Sequence, residues 1–153
     1  MIQLKLKVPP LLLVLIVATL MWLSHQLFPI VLIAEHIAIA FFVFFVVLGG
    51  LVITYGAFTF RKAQTTVNPT KPEATSSLVK VGVYAITRNP MYVGMVSCLI
   101  GWGLYLSNPS ALLFIFAFIF YINRFQIAPE EQVLTTIFGN EYIDYCASVR
   151  RWL

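Results

Sequence analysis

Residues 37–60 read IAIAFFVFFVVLGGLVITYGAFTF, and no charged side chain interrupts them. At about 1.5 Å per residue, a helix of this length exceeds the ~30 Å hydrocarbon core of a bilayer. The stretch predicts a membrane span. Outward from it the same pattern repeats. Lys7 is followed by no Asp, Glu, Lys or Arg until Glu35, and Glu35 by none until Arg61. The run from Val8 to Ser24 predicts a first span. Basic residues before an apolar stretch also open signal peptides, but Met21-Trp22-Leu23-Ser24-His25 offers no small-residue cleavage site, so a retained helix is expected. Met91 to Asn123 is again free of charge, broken by Ser107-Asn108-Pro109, and predicts a tight hairpin of two short spans.

Composition agrees. The 153 residues are 60% hydrophobic and 10% charged, with mean hydropathy +0.89, against about 45–50% and about 25% in soluble domains. Both a soluble domain and disorder are excluded. The expected fold is all-α, a single integral-membrane domain over 1–153 with about four transmembrane helices. Residues 1–60 hold two spans, 61–90 form a polar loop, 91–128 a helical hairpin, and 129–153 an amphipathic tail. In the tail, Pro129 suits a helix start with Glu130 and Glu131 at its positive end, and Gly139 suits a stop. Asn140 can cap a second short helix carrying Tyr142, Tyr145 and Val149, and both helices are expected at the interface.

With four spans, all ten Lys and Arg lie on one side: Lys5, Lys7, Arg61, Lys62, Lys71, Lys80, Arg88, Arg124, Arg150 and Arg151. The positive-inside rule then puts both termini and the polar loop in the cytoplasm, consistent with a multi-pass protein of the cytoplasmic (inner) membrane. The net charge of +4 is read as topology, not as a nucleic-acid surface. Cys98 and Cys146 lack metal-ligand spacing, and no metal is expected.

Taken singly, the polar residues have plain readings. Arg88-Asn89-Pro90 reads as a snorkelling arginine and a turn, and Glu130-Glu131 as acids suited to a first helical turn. Gly94, Ser97 and Gly101 read as a packing seam, as do Gly49-Gly50 and Gly56. Glu35, His25 and His36 read as interfacial residues and Cys98 as a small buried one. Together they say more. The topology brings Tyr84, Arg88, Asn89, Tyr92, Arg124, Glu130 and Glu131 to one face, where a pocket with a polar mouth and an apolar floor could admit a charged cofactor and a lipid-like substrate.

Two blocks then carry a resemblance. Leu78-Val79-x-x-Gly82-x-Tyr84-x-x-x-Arg88-Asn89-Pro90-Met91-Tyr92-x-Gly94 resembles the core motif of the isoprenylcysteine carboxyl methyltransferase family, to which phospholipid N-methyltransferases are related. Glu130-Glu131-x-x-Leu134-x-x-x-Phe138-Gly139-x-Glu141-Tyr142-x-x-Tyr145-x-x-x-Val149-Arg150 is similar to the same family's C-terminal motif, and Thr66-Val67-Asn68-Pro69 to its prokaryotic branch. The resemblance runs from about Thr65 to the C-terminus.

It implies a membrane methyltransferase that uses S-adenosylmethionine and acts on a lipid or prenylated small molecule, most closely a carboxyl O-methyltransferase. A phospholipid or amine N-methyltransferase is the alternative, and a non-catalytic helical membrane protein the alternative of another class. By position, Ser77, Leu78 and Val79 would line the cofactor, and Tyr84, Asn89, Pro90, Met91 and Tyr92 would enclose it. Glu130, supported by Glu131, would hold its polar groups. Arg88 would pair with a cofactor carboxylate or brace the acidic tail, and Arg88, Tyr92, Arg124 and Glu131 are the expected catalytic set. Two positions depart from the family pattern: Asn89 replaces a histidine, and Gln126 replaces an arginine that stands before the first motif glutamate. The second departure weighs toward an amine acceptor.

Overall fold

The computed structural model describes residues 8–63 and 77–153. Lys5, Lys7, Lys71 and the Thr66–Pro69 block lie outside them. The chain folds as an all-α membrane bundle. Helices α1 (Pro10–Leu27) and α2 (Glu35–Lys62) come first, and a short 3₁₀ turn, Gly82–Ala85, precedes α3 (Pro90–Leu106). Then follow α4 (Ala111–Ile122), a π-helical turn over Asn123–Ile127, α5 (Ala128–Phe138) and α6 (Asn140–Ser148). Among the described residues, three helical stretches, Pro10–Leu27, Glu35–Lys62 and Ala111–Phe138, are long and apolar enough to cross a membrane, and α3 is a shorter apolar helix.

The C-terminal half differs from the expectation. Pro129 does not open a separate helix; α4, the π turn and α5 run on as one continuous stretch from Ala111 to Phe138. Proline has no N–H to donate and crowds the carbonyl one turn back. A π turn ending two residues before it relieves that conflict, because its wider i→i+5 ring leaves room without breaking the rod. Gly139 does stop α5, at φ +55°, a backbone conformation that L side chains rarely adopt. Asn140 is the first residue of α6 rather than its cap, and Val149 lies past its end in extended backbone. Tyr142 and Tyr145 are buried together as expected.

The main seam joins α2 to α3, and glycine makes it possible. A Cβ on Gly94 would sit 2.6 Å from the Gly49 carbonyl oxygen and 2.6 Å from Ile53. One on Gly101 would sit 2.9 Å from Phe45 Cβ. Between these contacts Ser97 Oγ donates to the Phe45 carbonyl at 2.9 Å. Gly50, by contrast, faces open space and is not a packing point. On the other side of α3, Trp102 Nε1 donates to the Ala18 carbonyl of α1 at 3.0 Å. Val17, Met21, Leu99, Ile115, Phe118 and Ile122 fill the core between α1, α3 and α4. Most of the outer surface is apolar, with Leu15 on α1, Phe44 on α2 and Phe116 on α4 all more than half exposed, as a lipid-facing surface requires.

Candidate active site

The site begins where the chain turns from the polar loop into α3. Pro90 opens α3 with its ring at the first helical position, where a missing N–H costs nothing. That start places Tyr92 third in the first turn, buried and aimed at the long C-terminal helix. Its Oη donates to Glu130 Oε1 at 2.6 Å. This one bond joins the two sequence blocks.

Beside it lies an ionic cluster. Arg88 Nη1 stands 3.3 Å from Glu131 Oε1, with the two side chains only 12% and 18% exposed. Arg151 meets the same carboxylate through Nε at 3.1 Å and Nη2 at 2.5 Å, a forked contact that suits the planar guanidinium. Arg88 Nη1 also donates to Cys146 Sγ on α6. Of the two roles open to Arg88, bracing the acidic helix is the one observed. Its Nε remains buried with no hydrogen-bond partner among the described residues.

The C-terminal strap is held to the start of α3 by backbone contacts. Thr87 pairs with Arg150 in an isolated parallel bridge, and Arg88 N donates to the Arg150 carbonyl at 3.0 Å. Asn89 Nδ2 donates to the Arg151 carbonyl at 2.9 Å, so this side chain clamps the strap. Trp152 Nε1 reaches Asn123 Oδ1 in the π turn at 3.0 Å. Tyr145 Oη donates to the Tyr84 carbonyl at 2.7 Å, fixing α6 against the 3₁₀ turn.

Tyr84 forms an aromatic wall. Its ring meets Phe60 of α2 edge-on, with centroids 4.9 Å apart. Gly56 of α2 faces Met91, Pro90 and the Tyr84 hydroxyl, all 3.4–3.5 Å from where a Cβ would stand. Burial first, then the nearby Tyr145 and Glu130, pushes the Tyr84 hydroxyl well above the usual phenol range. Burial does the same to Tyr142 and Tyr145, with Arg88 opposing it in both. All three therefore stay neutral hydrogen-bond donors.

Of the expected residues, the structure joins Tyr92 to Glu130, Arg88 to Glu131, and Tyr84 to Pro90 and Met91 across Gly56. Val79 is buried and Leu78 half-buried beside the 3₁₀ turn, while Ser77 Oγ donates to the Ala63 carbonyl at 3.2 Å, at the end of α2. Arg124 is not brought in. It is exposed on the π turn, whose register sends Gln126 and Ile127 inward instead. Glu130 is half-buried, its carboxylate held by the Tyr92 hydroxyl. Arg151, Cys146, Thr87 and Gly56 were not among the expected site residues. Arg151 follows Arg150 in the second block, but one sequence does not show which of two adjacent arginines turns inward.

The pattern that defines the phospholipid methyltransferase family matches residues 37–141. The chain belongs to that family. Protein-S-isoprenylcysteine O-methyltransferase of Saccharomyces cerevisiae is 38% identical over 109 residues, which is 65% of this chain and 44% of that protein. Protein-S-isoprenylcysteine O-methyltransferase B of Arabidopsis thaliana is 30% identical over 107 residues, 68% of this chain and 53% of that one. An uncharacterized protein of Haemophilus influenzae is 48% identical over 63 residues, 41% of this chain and its own whole length. This family member thus spans about half the length of the two named methyltransferases. No solved structure matches it.

Proposed function

We propose that this phospholipid methyltransferase family member uses S-adenosylmethionine to methylate a lipid-like acceptor at the cytoplasmic membrane face, with a carboxyl group as the acceptor. The observation that carries the reading is the Tyr92–Glu130 bond, which unites the two sequence blocks beside the Arg88–Glu131–Arg151 cluster. Membership of a methyltransferase family supports the reaction class. The names of the yeast and Arabidopsis relatives support the carboxyl acceptor.

The residues present fit the cofactor. Arg88 Nε is a buried donor without a partner among the described residues, suited to a carboxylate. Glu130, its orientation fixed by Tyr92, is an acceptor suited to an ammonium or ribose hydroxyl. Tyr84, Phe60 and Met91 offer an aromatic and apolar surface suited to an adenine ring. When bound, the cofactor supplies an electrophilic methyl on a sulfonium. The chain's part is to align and desolvate, and holding two reactants in attack geometry can contribute about 7–11 kcal/mol. A carboxylate acceptor is already ionised at neutral pH and needs no base. An amine acceptor must first lose a proton, and Glu130 is then the carboxylate positioned to accept it.

That amine reading has one observation of its own. Gln126 is fully buried, and its Nε2 donates to the Val8 carbonyl at 2.6 Å. One of its two amide N–H donors is thereby engaged, and a neutral amide does not supply the charge that would pair with a substrate carboxylate.

Calorimetry on the detergent-purified protein tests the cofactor. Saturable binding of S-adenosylmethionine or its demethylated product is expected, weakened at least tenfold in Glu130→Ala, which removes a charge-assisted contact of about 1.5–3 kcal/mol. No saturable binding favours a structural role instead. Incubation with methyl-labelled cofactor and a membrane lipid extract tests the acceptor. Base-labile label in lipid means an ester, base-stable label in a head group means an amine, and label confined to water-soluble products refutes access through the bilayer.

A further inference from the structure

The connection between α1 and α2 runs from Phe28 to Ala34 without a charged side chain, at the end of the bundle opposite Arg88. Phe28, Val31 and Leu32 are 67%, 72% and 69% exposed. Loops that meet water are ordinarily polar, and this one presents a row of large apolar side chains.

Its backbone is treated as though water were absent. The N–H groups of Leu32 and Ile33 both donate to Ser107 Oγ, at 2.9 and 2.7 Å. Asn108 Nδ2 donates to the Phe28 carbonyl at 2.7 Å, and Asn108 Oδ1 accepts from Ser110 N at 3.0 Å. Ser24 Oγ and Ser110 Oγ lie 2.8 Å apart. Ser107 and Asn108 are themselves buried, 7% and 5% exposed, under the connection they hold. Irregular backbone at membrane depth persists only where protein groups satisfy it. The α3–α4 turn supplies such groups.

Length points the same way. The 17 residues of α3 span about 25 Å, short of the ~30 Å hydrocarbon core. Arg88, two residues before α3, fixes its other end near the polar boundary. Ser107 and the connection resting on it then fall inside the opposite edge of the core. Glu35 and His36, next along the chain, mark the headgroup level above it.

We propose that the α1–α2 connection is a membrane-embedded element, seated among the acyl chains of the leaflet opposite the Arg88 site and closed from behind by Ser107 and Asn108. Its partner is lipid, because its exposed side chains continue the apolar surface of Leu27 on α1 without a polar break, up to Glu35 and His36 at the start of α2. The inference stands independently of methyl transfer.

Nitroxide labels in proteoliposomes test it. A label at Val31→Cys, on a Cys98→Ala, Cys146→Ala background, is expected to collide several-fold more with oxygen than with a water-soluble nickel chelate. A label at Asp144→Cys, exposed on α6, should show the reverse. Ile30→Cys gives a second reading should the Val31 variant not fold. Collisions dominated by the nickel chelate at both Val31 and Ile30 would mean an aqueous loop. Spin–spin broadening that vanishes on dilution with unlabelled protein would mean a second copy covers the surface. Either result overturns the proposal.

Discussion

The two ends of this bundle close themselves by different means. At one end, Arg88, Glu131 and Arg151 form a charged cluster that ties α3, α5 and the C-terminal strap together. At the other, Ser24, Ser107, Asn108 and Ser110 join α1, α3, α4 and the α1–α2 connection with neutral hydrogen bonds only. A charge inside a membrane is expensive and persists where it is paired and in use, whereas hydroxyl and amide groups satisfy backbone at lower cost. The difference is one of cost: the charged end carries a burial penalty that the neutral end avoids, which is consistent with the proposed site lying there.

Removing Arg88 should separate the ends most sharply. Arg88→Ala leaves the Glu131 carboxylate mostly buried and facing Arg151 alone. Breaking a buried pair costs about 3–5 kcal/mol, and the surviving Arg151 contact places this variant near the lower figure. A matching fall in thermal stability in detergent is expected, together with loss of cofactor binding. Arg88→Lys should restore part of the stability, because it keeps the charge but not the planar guanidinium that also reaches Cys146. A variant no less stable than the parent would show that the cluster does not hold this end together.

The neutral end should break more gently. Ser107 sits at φ +54°, and alanine meets the same backbone strain there, so Ser107→Ala isolates the hydroxyl. Two N–H groups lose their acceptor, and an unsatisfied buried donor costs about 1–3 kcal/mol. A loss of about 2 kcal/mol in unfolding free energy is expected for the protein in lipid. If water reached the connection, it would replace the hydroxyl and the change would shrink to a few tenths of that.

The ends also differed in how well the sequence announced them. Charge-free runs at Ile37–Phe60 and Met91–Asn123 mark α2 and the hairpin because burial in lipid forbids charge along the whole length. The glycines at 49, 94 and 101 read correctly as a seam, since only close backbone approach calls for them there. Gly50 reads the same in sequence but faces outward; adjacency does not say which of two glycines meets a partner. Pro129 does stand in the first turn of α5 with Glu130 and Glu131, but proline there did not reveal that a π turn joins α5 to α4 without a break. In the candidate site, the meeting of Tyr92 with Glu130 and of Arg88 with Glu131 was legible from the paired blocks. Arg151 and Cys146 were not, because their contacts depend on how the strap folds back over Thr87 and Arg88, a long-range arrangement with no local signature. Arg124 stands apart from these contacts, exposed on the same π turn that hid the continuous helix.

The smallest effect is expected where distance alone would suggest a large one. Lys80 Nζ and Glu141 Oε1 are 2.7 Å apart, nearly as close as Tyr92 and Glu130 at 2.6 Å. Yet the side chains of Lys80 and Glu141 are 43% and 53% exposed. Water solvates both charges before and after they meet, salt screens what attraction is left, and two long side chains lose freedom in pairing. Lys80→Ala should therefore change stability by no more than about 0.5 kcal/mol, and by less as salt is raised. Measured beside Arg88→Ala in the same detergent and salt series, it separates contact distance from burial as the source of stability. Were the two variants to lose equal stability with equal salt dependence, the Arg88 cluster would be as well solvated as this surface pair, and the contrast between the ends of the bundle would need another cause.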